Sequence, residues 1–499
     1  MMRVLTNKYL IAGFIAMVLT LGVGAWHFLE TTTTIYKTPW GYFPYKIEVP
    51  LGTEVTFKNL TRQYMWPASD LHPTHDSYSD FDPQGAIEPY GSWSFTFDRR
   101  GIWSYHDHVA AQLTGRIAVH DETGSTEFDC EGGDKKACWV AAIENALVEE
   151  GIPAAYATLL SIHERYPEFA TPCHNYAHDI GLKAFVYYGK NAKFGPETSF
   201  CNAGFYHGFV EGLIDNNSDI KEVEAFCDRT GERLKDSFPL AEQQCRHGIG
   251  HASIEYYMNR YPELMGTPSE LIKKSLDICR SLNNEGDEDM RCASGIFNVY
   301  RDLVMVTSGF DAYKQGEEIY AICASVEEEF EKEGCYREFS KMHAGGEEAQ
   351  AFLNAVRDGV PLDNPFLLDD FMVLEDQEVH LPRATMSWAM IMGKRAVNEH
   401  DPGTVWGVCD YVPEMAKAMC LRGIADGAFT SSAPFEEYRT ILPMCRDDYL
   451  DEVERQECYL GLQRNLYDNY GPTERFKQCS FVPDEYYSNY YCGERYAQS

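Results

Sequence analysis

The sequence predicts a multidomain protein in three parts: an N-terminal transmembrane helix, an all-β sandwich, and an all-α, disulfide-stapled helical repeat domain. Three observations predict this. Tyr9 to Leu29 contains no Asp, Glu, Lys or Arg. Residues 31–125 alternate apolar and polar side chains at period two, the pattern of half-buried strands. From Asp129 onward apolar residues recur at three and four, the pattern of helices. The parts are therefore drawn at 1–30, 31–125 and 126–499.

The apolar stretch comes first. At 1.5 Å per residue a helix over Tyr9–Leu29 spans roughly 30 Å, the thickness of a bilayer core. Arg3 and Lys8 precede it, which keeps the N-terminus inside and places the bulk of the chain outside the cytoplasm. The stretch is longer than the apolar region of a typical signal peptide, so it reads as a single-pass anchor in the cell membrane. Val23-Gly24-Ala25 also has the form of a cleavage site. Cleavage there would make the protein secreted.

Bulk composition agrees with an extracytoplasmic, folded protein. The chain has 499 residues, 44% of them hydrophobic, enough for more than one core. Its formal net charge of -34 argues against nucleic acid as a partner and suits attraction of cations. The 16 cysteines are even in number and none lies before residue 130. In an oxidising compartment such a set reads as disulfides.

In the β region, Ile47 and Val49, then Val55 and Phe57, then Trp93, Phe95 and Phe97 mark one face of successive strands. Pro50-Leu51-Gly52 and Arg99-Arg100-Gly101 are turns between them.

The helical region carries an internal repeat. Cys-x-x-Gly recurs at Cys201, Cys245, Cys292, Cys420 and Cys458, and each copy is expected to open a helix. Cys335 opens a degenerate copy with Glu338 in the glycine place, and the helix near Ser387 to Val397 fits a copy without its cysteine. Repeats about 40 residues long built from helix pairs form an α-solenoid or a closed helical array. Each repeat cysteine has an upstream companion. This predicts six local disulfides: 227–245, 279–292, 323–335, 409–420, 445–458 and 479–492. Cys130–Cys138 and Cys173–Cys201 complete the set. Short bridged loops of this kind contribute roughly 2–4 kcal/mol each.

Two histidine constellations stand out. In the β region, Gly52-Thr53-Glu54-Val55-Thr56-Phe57-Lys58-Asn59 resembles the strand that precedes the metal loop of cupredoxins. Gly101-Ile102-Trp103-Ser104-Tyr105-His106-Asp107-His108, ending in Gly115-Arg116-Ile117-Ala118-Val119, resembles their closing strand pair. The resemblance implies a cupredoxin-like sandwich that binds copper. A blue-copper site needs a cysteine thiolate, two histidines and usually an axial methionine. Here Tyr105 stands three residues before His108, and Leu113 best matches the axial place, so no type 1 centre is expected. His106-Asp107-His108, followed by Gln112, is also similar to the His-x-His stretch of multicopper oxidases, whose imidazoles bind type 2 and type 3 copper. Residues i and i+2 of a strand face the same way, so His106 and His108 can share one ion. His72 and His75 from the preceding loop are expected to complete the site, with Asp70 as an oxygen ligand. Imidazole-only ligation suits copper, with zinc as the alternative.

In the helical region, His174 and His178 lie four apart, as do His247 and His251 and as do His207 and Glu211. Residues i and i+4 project from one helix face, the spacing for two ligands on one metal. His207 and His251 also share a repeat position, six after the cysteine. Stacked repeats would bring these five histidines and Glu211 to one concave surface. The bland alternative is a buried hydrogen-bond ladder between helices.

The leading expectation is metal handling outside the cytoplasm, with copper as the ion. A metal-dependent oxidoreductase centred on the helical histidines is the second reading. A scaffold that binds another envelope protein through its repeats is the third.

Overall fold

The computed structural model describes residues 33–71, 75, 77–99, 101–120, 135–169, 172–216, 219–282, 287–306, 320–344, 346–359, 379–399 and 402–493. Tyr9–Leu29, His72 and Cys130 lie outside them. Among the described residues, no helix is long and apolar enough to cross a membrane. The chain divides into two compact units, Met1–Asn145 and Ala146–Ser499.

The first unit is a two-sheet β-sandwich. One sheet contains β1 (Thr34–Thr38), β2 (Gly41–Phe43), β4 (Thr53–Asn59) and β6 (Ser92–Phe97), in the order β2-β1-β4-β6. The other contains β3 (Lys46–Pro50), β5 (Pro67–Ser69), β7 (Gly101–Asp107) and β8 (Ala110–His120), in the order β3-β8-β7-β5. β1 runs parallel to β4 and β3 parallel to β8; the other pairs are antiparallel.

The alternation read from the sequence sets the core. Ile47, Val49, Val55, Phe57 and Phe97 are buried between the sheets, with Trp93 and Phe95 packed partly buried against them. Fully burying a side chain such as Phe57 stabilises the fold by about 1.5–3 kcal/mol. Helix α1 (Lys135–Glu150) adds Ala137 to this core, and Ser104 Oγ donates to its Glu144 at 2.5 Å.

One ion pair lies inside the sandwich. Lys37 Nζ is 2.6 Å from Asp107 Oδ2, with both side chains at or below 1% exposure. Asp107 also accepts from Tyr42 Oη (2.9 Å), Trp66 N (3.0 Å) and Val109 N (3.2 Å). Lys37 donates further to Tyr64 O at 2.6 Å. These hydrogen bonds offset part of the cost of drying the pair.

The second unit is helical. Its inner helices are α3 (Cys173–Tyr188), α4 (Gly204–Asp215), α6 (Ala241–Arg260), α8 (Asp287–Val306), α10 (Glu329–Ser340), α12 (Leu381–Glu399), α14 (Glu414–Ser431) and α16 (Glu452–Asn469). Each packs on the next in that order. Intervening helices lie outside them: α2 (Ile152–Arg165), α5 (Ile220–Leu234), α7 (Pro268–Arg280), α9 (Ala321–Ala324), α11 (Gly346–Arg357), α13 (Pro402–Gly407), α15 (Glu437–Cys445) and α17 (Pro472–Cys479). The short α18 (Asn489–Cys492) ends the unit.

The ends of this series meet. Leu240 N donates to Asp468 O at 3.2 Å, Gly471 packs on the Asp236 carbonyl, and the Phe200 and Phe435 rings lie 5.0 Å apart. Of the two arrays the repeat allowed, the closed one is present.

All six local disulfides form as the spacing predicts, and so does Cys173–Cys201. Cys138 is bonded too. One detail differs from expectation. Cys245, Cys292, Cys335, Cys420 and Cys458 lie inside their helices and do not open them. The inner helices begin earlier, so these bridges staple the segment ahead of each inner helix onto the body of that helix.

The repeat glycines let these helices touch backbone to backbone. A Cβ on Gly295 would fall 2.1 Å from His247 O, and one on Gly250 would fall 1.9 Å from Cys292 O. The degenerate copy solves the same contact differently. Glu338 replaces glycine and accepts from Ser294 Oγ (3.0 Å), Asn298 Nδ2 (2.9 Å), Arg301 (2.8 Å) and Lys341 Nζ (2.7 Å).

A separate buried carboxyl makes the helical unit pH-dependent. Glu437 is 3% exposed, and burial pushes it up to about 7 against hydrogen bonds from Tyr470 and Gln478. Its folded value is raised above the ordinary one, so the folded state holds the extra proton. The stability this gives is present at low pH and is lost as pH rises through about 7. Relative to wild type, Glu437→Gln is therefore expected to become more stable by about 2–3 kcal/mol between pH 4.5 and 8. Hydrogen exchange of α15 and α17 at several pH values checks this.

Candidate metal centres

β5 ends at Ser69, and the loop after it returns over β7. His75 is held there in the left-handed region (φ 51°), where its amide donates to Leu71 O (2.6 Å) and its carbonyl accepts from Ser69 Oγ (2.7 Å). Few residues other than glycine occupy this region, and those that do cluster at functional sites. β5 pairs Ala68 with His106, which brings the loop over that imidazole.

His75, His106 and His108 converge. Each offers a ring nitrogen within 4.8 Å of the others. His75 Nε2 is 2.9 Å from His108 Nδ1. The register shifts at His106/Asp107, and His108 sits in the turn beyond the strand, its amide donating to Trp66 O at 2.7 Å. The bulge, added to simple alternation, lets both imidazoles reach one point.

Carboxylates orient two of the three rings. His75 Nδ1 lies 2.7 Å from Asp82 Oδ2, and His106 Nδ1 lies 3.1 Å from Asp70 Oδ1. With those protons engaged, each ring turns its Nε2 lone pair inward, the usual arrangement behind a metal-ligating histidine. Asp70 thus differs from expectation: it faces His106 Nδ1 and holds the ring. Burial acts to raise Asp82, but hydrogen bonds from His75, the Gln84 amide and Trp66 together hold it below the usual carboxylate range. Asp82→Asn should lower metal affinity 10–100-fold, the usual loss for such a partner. Chelator competition measures it.

Tyr105 takes the other face of β7. Its ring is fully buried 5.2 Å from Tyr42 and 5.3 Å from Phe57. Gly115 accommodates it, since a Cβ there would fall 2.2 Å from the phenol oxygen. Leu113 packs against the same core.

In the helical unit the five histidines gather on α3, α4 and α6. His207 is central: its ring centroid is 4.2 Å from His251, 4.9 Å from His247, 4.9 Å from His174 and 6.1 Å from His178. His207, His247 and His251 offer nitrogens within 4.8 Å of one another. His174 and His178 stand beside this trio. His174 Nδ1 donates to Cys201 O (3.0 Å), His247 Nδ1 donates to Arg291 O (3.2 Å), and His178 Nε2 is 3.7 Å from Glu211.

Cys201, Asn202 and Ala203, just before α4, all have φ near 55°. Such a run outside glycine is another local signature of a functional site.

Burial keeps four of these imidazoles, His174, His207, His247 and His251, neutral at ordinary pH. Burial pushes His174 down to about 4 and His247 down to about 3. Burial, with the other imidazoles adding to it, puts His207 and His251 well below their ordinary value. Burial also pushes Glu211 up to about 8. Glu255, one turn beyond His251, is raised by burial first and then by Glu211 and Asp215. Glu255 was not among the sequence candidates, although His251 and Glu255 repeat the spacing of His207 and Glu211.

No family model and no curated protein matches this chain. Solved structures similar to part of this chain include a Cu(I) form of an amicyanin mutant, at 17% identity over 17% of this chain and 80% of that one, with a TM-score of 0.16. A purple cupredoxin from Nitrosopumilus maritimus is 17% identical over 17% of this chain and 97% of its own, with a TM-score of 0.15. A multicopper oxidase is 19% identical over 19% of this chain and 44% of its own, with a TM-score of 0.14. The likeness is weak and covers less than a fifth of this chain.

Proposed function

We propose that this chain is a copper-binding protein whose β-domain holds the ion through His75, His106 and His108. One observation carries the reading: three imidazoles meet at a point, and carboxylates orient two of them from behind. Imidazole donors suit both copper and zinc, and a nitrogen site binds Cu(II) more tightly than Zn(II). The similar solved structures named above are cupredoxins and a copper oxidase, which agrees with copper.

Among the described residues no thiolate adjoins the trio, so the reading is copper handling without fast electron transfer. The N-terminal stretch completes the proposal as a membrane anchor that keeps the site outside the cytoplasm. Alkaline extraction of membranes and protease access in intact cells test that part.

The metal is tested by elemental analysis of the full chain purified with copper and zinc present. Wild type should hold copper, and His106→Ala with His108→Ala should lose one equivalent. A folded wild type without copper would overturn the reading.

A further inference from the structure

The helical unit shows a second centre that the β-domain reading does not need. Three observations meet there. Neither ring nitrogen of His207 has a hydrogen-bond partner, although the residue is 97% buried by its 3% exposure, and His251 Nε2 is buried without one at 7% exposure. Orphaned polar atoms of this kind are rare in folded interiors, because each costs about 1–3 kcal/mol. A hydrogen-bond ladder would have satisfied them, and no ladder forms at His207. His247 then turns toward the same point, its Nδ1 fixed on the Arg291 carbonyl. Finally, Glu255 lies one turn beyond His251, buried with Oε2 unpartnered.

We infer that the helical unit holds its own metal ion, a late first-row cation of the copper–zinc class, ligated by His207, His247 and His251. Three imidazoles leave a fourth position open in a tetrahedral site. The α4, α6 and α8 backbones hold this geometry. Gly248 packs on Tyr206 O and Gly295 on His247 O, and these contacts set the spacing of the helices that carry the imidazoles.

The test uses the full chain carrying His106→Ala and His108→Ala, stripped of metal and shown by circular dichroism to retain its helices. Zinc is the probe, titrated against a chromogenic chelator. One equivalent should bind, and X-ray absorption at the zinc edge should show three imidazoles. His207→Asn with His251→Asn, added to that background, should abolish the equivalent. Failure of that background to hold zinc would overturn the inference, as would a zinc shell without three imidazoles or zinc retained by the fourfold variant. The X-ray absorption result stands even if the fourfold variant does not fold. Because the β-site is disabled throughout, these outcomes leave the copper reading untouched.

Discussion

Replacing Lys37 with methionine is expected to destabilise the β-sandwich by about 3–5 kcal/mol, the usual penalty for leaving a buried charge without its partner. Asp107 is fully buried and Lys37 is its only cationic partner within 4 Å among the described residues. The apolar replacement leaves the carboxylate charged and dry. Asp107 also holds the Val109 amide in the turn that carries His108, so metal affinity should fall with stability. Adding Asp107→Asn removes the stranded charge and should restore part of the loss. Hydrogen exchange of β7 and β8 in the full chain reads the effect locally. Exchange unchanged by Lys37→Met would show that the pair contributes nothing.

Glu338→Ala should have a similar effect in the helical unit, about 3–5 kcal/mol, because it leaves Arg301 and Lys341 facing each other without the carboxylate between them. Burial works to raise Glu338, but Lys341 and Arg301 outweigh it and hold it far below the usual carboxylate range. A depressed carboxylate stabilises the fold above its ordinary value, and that stability is lost as the pH falls through its folded value. The difference between wild type and Glu338→Ala should therefore shrink in acid. Exchange of α8 and α10 peptides from neutral to acid pH measures both the size and the sign.

These two carboxylates show where the sequence stops being legible. Local patterns were readable. Alternation at Val55 and Phe57 marked a strand, because a pleat repeats every two residues. The cysteine pairs were readable because a turn between helices brings its two ends together. His75, His106 and His108 could be grouped because their two segments were recognisable as neighbouring parts of a sandwich.

The partners were not readable. Asp82 orients His75 and Lys37 neutralises Asp107 across 70 residues of chain, and no periodicity links such residues. Glu338 looked like a defect in the repeat, whereas its side chain supplies by hydrogen bonds the contact that glycine makes by absence. Glu255 is a different case. Its spacing to His251 was present in the repeat and could have been found by aligning the copies ten residues past each cysteine.

X-ray absorption at the copper edge of the copper-loaded full chain, read as the difference between wild type and His106→Ala with His108→Ala, decides whether the β-domain trio holds copper. The copper lost in the variant is expected to sit in a shell of imidazole nitrogens without sulfur. Sulfur in that shell, or copper binding that the two substitutions leave unchanged, would contradict it.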